Sequence, residues 1–441
     1  MTERGVNASR VCKGKLMLYN RSNDAVRDGL HRRGRSESYT PGVYSFFIAL
    51  YSFAALTLFL SVADIALGHR GALPAGATTC ALVSLVPIVT CELMRGLAYR
   101  RVGGVFAPLR YNQKPLVALG MVATSALIFS ILPGAVWDEG AKWILLIPYG
   151  LMIVLLATLC AGNATVGRML PFSAALALAL LLWSISCDLT TPGTFSAITE
   201  RAAGFSGNAN YTALITVMVC AASLNYTGKR LLLGDLLLLI LAAAIVILSL
   251  SRSGLLAFLV LALGYTTVRI AHTGISWRAA RSFGISLLVV ALALGAISPL
   301  FADQLRALQQ QSRFRRASAS QQVDDGSAAS RLAAAQDAIR RINRSPIIGH
   351  GTGYARRMPE LPHNIYLQQW VNNGLPGLIS YLAFLGVSVW TFLSRRYFPG
   401  VMLIVVAIVG GFFSHNILDQ RPFLILYGLL LGGSGRGVRG G

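Results

Sequence analysis

Apolar runs alternate with short polar breaks along most of this 441-residue chain. A run of roughly 20 apolar residues is what one helix needs to cross a bilayer core. The pattern predicts an all-α integral membrane protein of about twelve spans, at 43–67, 72–94, 115–136, 143–161, 169–187, 209–224, 231–250, 254–270, 282–301, 376–393, 400–414 and 421–434. Pro133-Gly134 and Pro399-Gly400 mark two of the ends. The organisation is then a polar, basic tail at 1–42, nine helices over 43–301, a long loop at 302–375, three helices over 376–434 and a Gly-rich tail at 435–441. The tail at 1–42 has no apolar core of the kind a cleaved signal carries, so the first span is expected to be retained.

Composition agrees with the pattern. Only 13% of residues are charged, about half of what a soluble domain carries. The formal net charge is +22, but the basic residues are scattered over many short loops, which excludes nucleic acid as the expected partner. Their distribution instead sets orientation. With the N-terminus in the cytoplasm, 24 of the 39 Lys and Arg fall inside, and the even span number returns the C-terminus to the cytoplasm. Eleven of the other 15 are Arg201 and ten arginines of the long loop. Those arginines break the charge rule, so they are expected to serve something other than topology. Six cysteines show no metal or redox spacing and read as small buried hydrophobes, five of them in helices.

Candidate chemistry gathers on the expected outer face. Arg201 precedes Gly204, Asn208 and Asn210 in a stretch suited to a tight turn and a helix start. Arg252 interrupts some forty apolar residues with no real loop, and an arginine near membrane depth faces a cavity, a partner, an anion or the headgroups. Leu332, Ala335, Ile339 and Ile342 have helical spacing, which predicts an amphipathic helix from Ser330 as N-cap to Pro346. Arg331 would then sit in the first turn against the helix dipole, a placement that hints at an anion, unless the helix rests on anionic lipid. His363-Asn364 closes the loop. A histidine titrates near neutrality and can take a proton, although His415-Asn416 repeats the pair. No carboxylate cluster or HExxH is present, so no metal and no cofactor is expected, and arginines are the groups left to bind phosphate.

The loop of Arg201, Gly204 and Asn208-Ala209-Asn210, the Ser251-Arg252-Ser253 hairpin, Ser330-Arg331, Ser345-Pro346-Ile347-Ile348-Gly349, Gly351-Thr352-Gly353-Tyr354 and the Pro362-His363-Asn364, Gly374, Gly377 block occur in this order. Together they resemble the O-antigen ligase and polymerase superfamily over roughly residues 195–380. Ala209 stands where that family often has proline between the asparagines. The resemblance implies a GT-C type glycosyltransferase in the bacterial inner membrane with its active site facing the periplasm. Its donor would be a polysaccharide on undecaprenyl pyrophosphate and its acceptor a sugar hydroxyl of lipid A–core, as in lipopolysaccharide biosynthesis, by a metal-independent inverting transfer. Arg252 and Arg331 would neutralise the leaving pyrophosphate, His363 would accept the hydroxyl proton, and Arg201, Asn210 and Asn364 would help bind substrate. A polymerase elongating another lipid-linked glycan is the sister expectation; the basic cluster Arg313 to Arg316 favours an anionic acceptor and so the ligase. A twelve-helix transporter is the other class, but no repeat relates the two halves.

Overall fold

A computed structural model describes residues 42–73, 76–98, 102–135, 142–196, 202–227, 233–273 and 326–435. Among them every regular element is an α or 3-10 helix. The helices are α1 (Val43–Leu60), α2 (Ala63–His69), α3 (Ala77–Ala98), α4 (Gln113–Ile128), α5 (Lys142–Cys160), α6 (Ala164–Thr190), α7 (Ala209–Ser223), α8 (Leu233–Leu248), α9 (Arg252–Thr273), α10 (Gly326–Arg344), α11 (Ile365–Ser394), α12 (Phe398–Gly411) and α13 (Arg421–Ser434). Two short helical pieces, Val102–Val105 and Ala107–Tyr111, precede α4. Residues 48–441 make one compact unit, which holds all of these helices except the start of α1. Helices overlie eleven of the expected spans; 282–301 lies outside the described residues.

Among the described residues, five helices are long and apolar enough to cross a membrane: α3, α4 with its 3-10 extension, α6, α9 and α11. A sixth span arises if α1 and α2, bent by 72° at Ser61-Val62, count as one. The remaining apolar helices are shorter. α7 is the clearest case: twelve of its fifteen residues are buried, because it is packed by α8, α9, α12 and α13. A helix apolar all round belongs inside a bundle. The five described cysteines lie in helices and form no disulfide; Cys160 and Cys220 are buried as expected, and Cys80, Cys91 and Cys187 are half-buried.

Two boundaries differ from expectation. The amphipathic helix starts at Gly326, so Ser330 is not its N-cap and Arg331 stands in the second turn. Arg331 is thus not in the first turn, where it would oppose the helix dipole. Ser330 instead donates from Oγ to Glu360 Oε2 at 2.7 Å, tying α10 to the chain that leads to His363. The second difference is at the end of the long loop. The tenth span, expected from 376, is already helical from Ile365 and is broken at Gly374, whose φ is 62° and ψ −161°.

The break is balanced by the segment before it. Pro376 has no N–H for the carbonyl of Asn372, and Gly351 N donates to that oxygen instead at 2.8 Å. Leu375 N turns away to Pro346 O and Ile347 O, both at 3.1 Å. The Val371 carbonyl it leaves is taken by His350 N at 2.9 Å. Buried backbone groups must be paired, and the Ser345-to-Gly351 segment supplies the partners. It can approach so closely only because Gly349 and Gly374 face one another without side chains: a Cβ on Gly374 would lie 2.0 Å from Ile347 O, and one on Gly349 2.4 Å from Gly374 N.

Candidate active site

Three polar caps meet at one end of the bundle. Asn208 Oδ1 accepts from Asn210 N and Tyr211 N and starts α7. Ala209 is therefore the first helical residue, a position where proline and alanine are both tolerated. Ser251 Oγ accepts from Gly254 N at 3.1 Å and starts α9, after a three-residue turn in which Leu250 is left-handed at φ 52°. Asn364 Oδ1 accepts from Tyr366 N at 2.9 Å and Leu367 N at 3.1 Å and starts α11. Ser251 also donates to Asn210 Oδ1 at 2.8 Å, joining the first two caps.

His363 precedes the third cap and lines two clefts. The first, of about 510 Å³, is lined by Asn208, Asn210, Ser253, His363, His415 and Asn416 among others. The second, of about 370 Å³, holds Arg331, His363 and Asn364 with an apolar rim that includes Leu367, Phe412 and Phe413. Three of the expected site residues, His363, Arg331 and Asn364, thus line one cleft, and Asn210 joins His363 in the other. Arg252 is exposed at the first position of α9 and lines neither, though its neighbour Ser253 lines the first. Arg201 lies outside the described residues, as do Arg313 to Arg316.

The electrostatics suit a base. His363 is accessible from both clefts, yet the protein around it lowers its pKa below 6.5 by desolvation, and the Arg331 cation lowers it further, against a smaller opposing pull from Glu360. Its imidazole is therefore neutral at pH 7 and holds a lone pair ready for a proton.

His415 is the residue that the sequence pattern undervalues. The repeated His-Asn pair, which weakens His363-Asn364 as a motif, proves to be its spatial neighbour, with ring centroids 5.4 Å apart and edge-on. Burial, His363 and Arg356 push the His415 pKa down to about 4. Its loop is held from below by Arg356, which bridges to Asp419 at 3.8 Å. The other loop histidine, His350, is structural: it stacks on Tyr354 at 4.6 Å and its Nε2 meets Arg341 O at 2.9 Å.

The arm that leads to Arg201 is anchored by a carboxylate. Asp188 is buried at the end of α6, and its oxygens accept from Phe195 N and Gly204 N, both at 2.7 Å, from Ser196 N and Ala203 N, both at 3.2 Å, and from the Ser196 hydroxyl. Both sides of residues 197–201 are fixed by this one side chain.

Two clefts, one of them bearing an arginine, thus open at one end of a bundle that contains helices apolar enough to span a membrane. Residues 237–382 match the family model described as O-antigen ligase. The matched stretch runs from α8 to the middle of α11 and includes Arg252, Arg331, His363 and Asn364. No curated protein matches the chain. The apolar helices and the family match together point to a multi-pass membrane protein.

Proposed function

We propose that the chain is an O-antigen ligase: a glycosyltransferase of the GT-C type, with twelve spans and both termini in the cytoplasm of a bacterium, working at the periplasmic face of the inner membrane. It moves a polysaccharide from undecaprenyl pyrophosphate to a sugar hydroxyl of lipid A–core. The observation that carries this reading is His363, neutral at physiological pH and lining one cleft with Arg331.

The acceptor hydroxyl loses its proton to His363 as its oxygen bonds to the anomeric carbon. The bond from that carbon to the phosphate oxygen breaks, and the electron pair leaves with the pyrophosphate. Arg331 stabilises the charge that develops there, and a cation placed where charge appears in the transition state lowers the barrier. Arg252, exposed at the start of α9, is a second cation for the leaving pyrophosphate, and Arg201 and Asn210 help bind substrate. Asn364 sets the angle at which His363 leaves the helix by capping α11. The apolar rim of the second cleft suits the polyprenyl chain.

The test is direct. Purified full-length protein in nanodiscs receives lipid-linked glycan and lipid A–core, with chelator and without ATP. Transfer to lipid A–core is the expected result. Chain elongation alone would make the protein a polymerase, and a wild-type protein that transfers nothing would refute both. His363→Ala should lower the rate by about 10²–10⁴-fold, the range general bases contribute.

A further inference from the structure

The two clefts differ in chemistry as well as position. Among the described residues lining the first there is no arginine, lysine or carboxylate. Its asparagines share a feature: Asn208 Oδ1 is taken by Asn210 N and Tyr211 N, Asn210 Oδ1 by Ser251 Oγ, and Asn416 Oδ1 by Ser414 Oγ at 2.6 Å. With each oxygen engaged internally, the amides offer their N–H donors to a ligand. His363 and His415, held neutral, offer ring nitrogens that accept. Alternating neutral donors and acceptors beside the ring of Phe413 match the hydroxyls and the apolar face of a sugar. The second cleft is its opposite. Arg331 is the one permanent cation among the described residues lining either cleft, with Ala335, Leu367, Phe412 and Phe413 beside it.

We propose that the clefts divide the substrates, the neutral one being the acceptor-sugar subsite, with His415, Asn416 and Ser253 as binding residues, and the Arg331 cleft receiving the donor phosphate. This rests on the transferase reading. It accords with the reaction too: the attacking hydroxyl and the leaving phosphate must both reach one anomeric carbon, and the two clefts share His363. The hydroxyl in the neutral cleft gives its proton to His363, and the phosphate in the other leaves with the electron pair.

The experiment uses carbethoxylation by diethyl pyrocarbonate, which attacks neutral imidazoles, read histidine by histidine by mass spectrometry on the full chain in nanodiscs. Lipid A–core should slow modification of His415 and His363 at least threefold. Undecaprenyl pyrophosphate should slow His363 alone. In turnover, Asn416→Ala and Ser253→Ala should raise KM for lipid A–core about tenfold and leave KM for the lipid-linked glycan within twofold. Protection of His415 by undecaprenyl pyrophosphate would put phosphate in the neutral cleft and overturn the division, as would no protection of His415 by lipid A–core or a KM rise confined to the donor. If transfer is normal in those cases, only the division fails. If the wild type transfers nothing and neither ligand protects a histidine, the transferase reading fails with it.

Discussion

At the scale of single residues, the state of His363 is set by neighbours with opposite signs. Protonating it places a second positive charge near Arg331, and it draws some compensation from Glu360. A base must be unprotonated to act, so kcat/KM, which reports the free enzyme, should fall as pH drops through a value below 6.5. Arg331→Gln removes the repulsion. The pKa then rises towards 6.5, and the acid limb moves to higher pH, in addition to any loss of rate. Glu360→Gln removes an attraction and should move the limb the other way. A pH–rate profile of the three proteins measures both shifts. Limbs that coincide would show that His363 does not feel these charges, and identical shifts in both variants would show that the limb belongs to another group.

At the scale of elements, the break in α11 carries the chain from the His363 cap into the bundle. Gly374 occupies a region of φ and ψ open essentially to glycine alone, and its missing Cβ makes room for Ile347 O. Gly374→Ala should therefore cost about 2–4 kcal/mol, strain and displacement together. Pro376→Ala should change stability by less than about 1 kcal/mol, because the Asn372 carbonyl that a new N–H would seek is already satisfied by Gly351. Unfolding in mixed micelles compares the two; equal effects would mean that the proline, rather than the backbone exchange, makes the break. The glycines are legible in the sequence as part of a motif. Their purpose is not, because it depends on a second segment more than twenty residues away. The start of α10 is hidden for a related reason: Ser330 looks like a cap by residue type, but its hydroxyl is used by Glu360, and Gly326 to Ala329 continue the helix without a sequence signal of their own.

At the scale of the molecule, apolar runs are readable because each span satisfies its own backbone bonds, so length and hydropathy are properties of one segment. Which ends of the spans meet is a property of the assembly. That is why charge and motif suffice to gather His363, Arg331 and Asn364, while His415 reads as a coincidental repeat and Asp188 as one acid in a scattered set. The same end of the bundle holds a buried ion pair that no periodicity announces: Arg421 Nε meets Asp64 Oδ2 at 2.7 Å, joining α2 to the start of α13. Asp64 is almost wholly buried, with 1% of its side chain exposed, so its partner cannot be replaced by water. Removing one member of such a pair leaves a charge stranded, at a cost of about 3–5 kcal/mol, whereas removing both can be nearly neutral. Arg421→Met should thus destabilise the protein by about that amount, and Asp64→Asn combined with Arg421→Met should recover most of the loss. Because α13 leads directly from the loop of His415 and Asp419, the single variant should also raise KM for lipid A–core more than KM for the lipid-linked glycan. Unfolding and KM measured on the same three proteins decide the matter: a single variant as stable as wild type would mean that the pair contributes nothing to holding this end of the bundle, and a double variant no better than the single would mean that Arg421 acts through packing rather than charge.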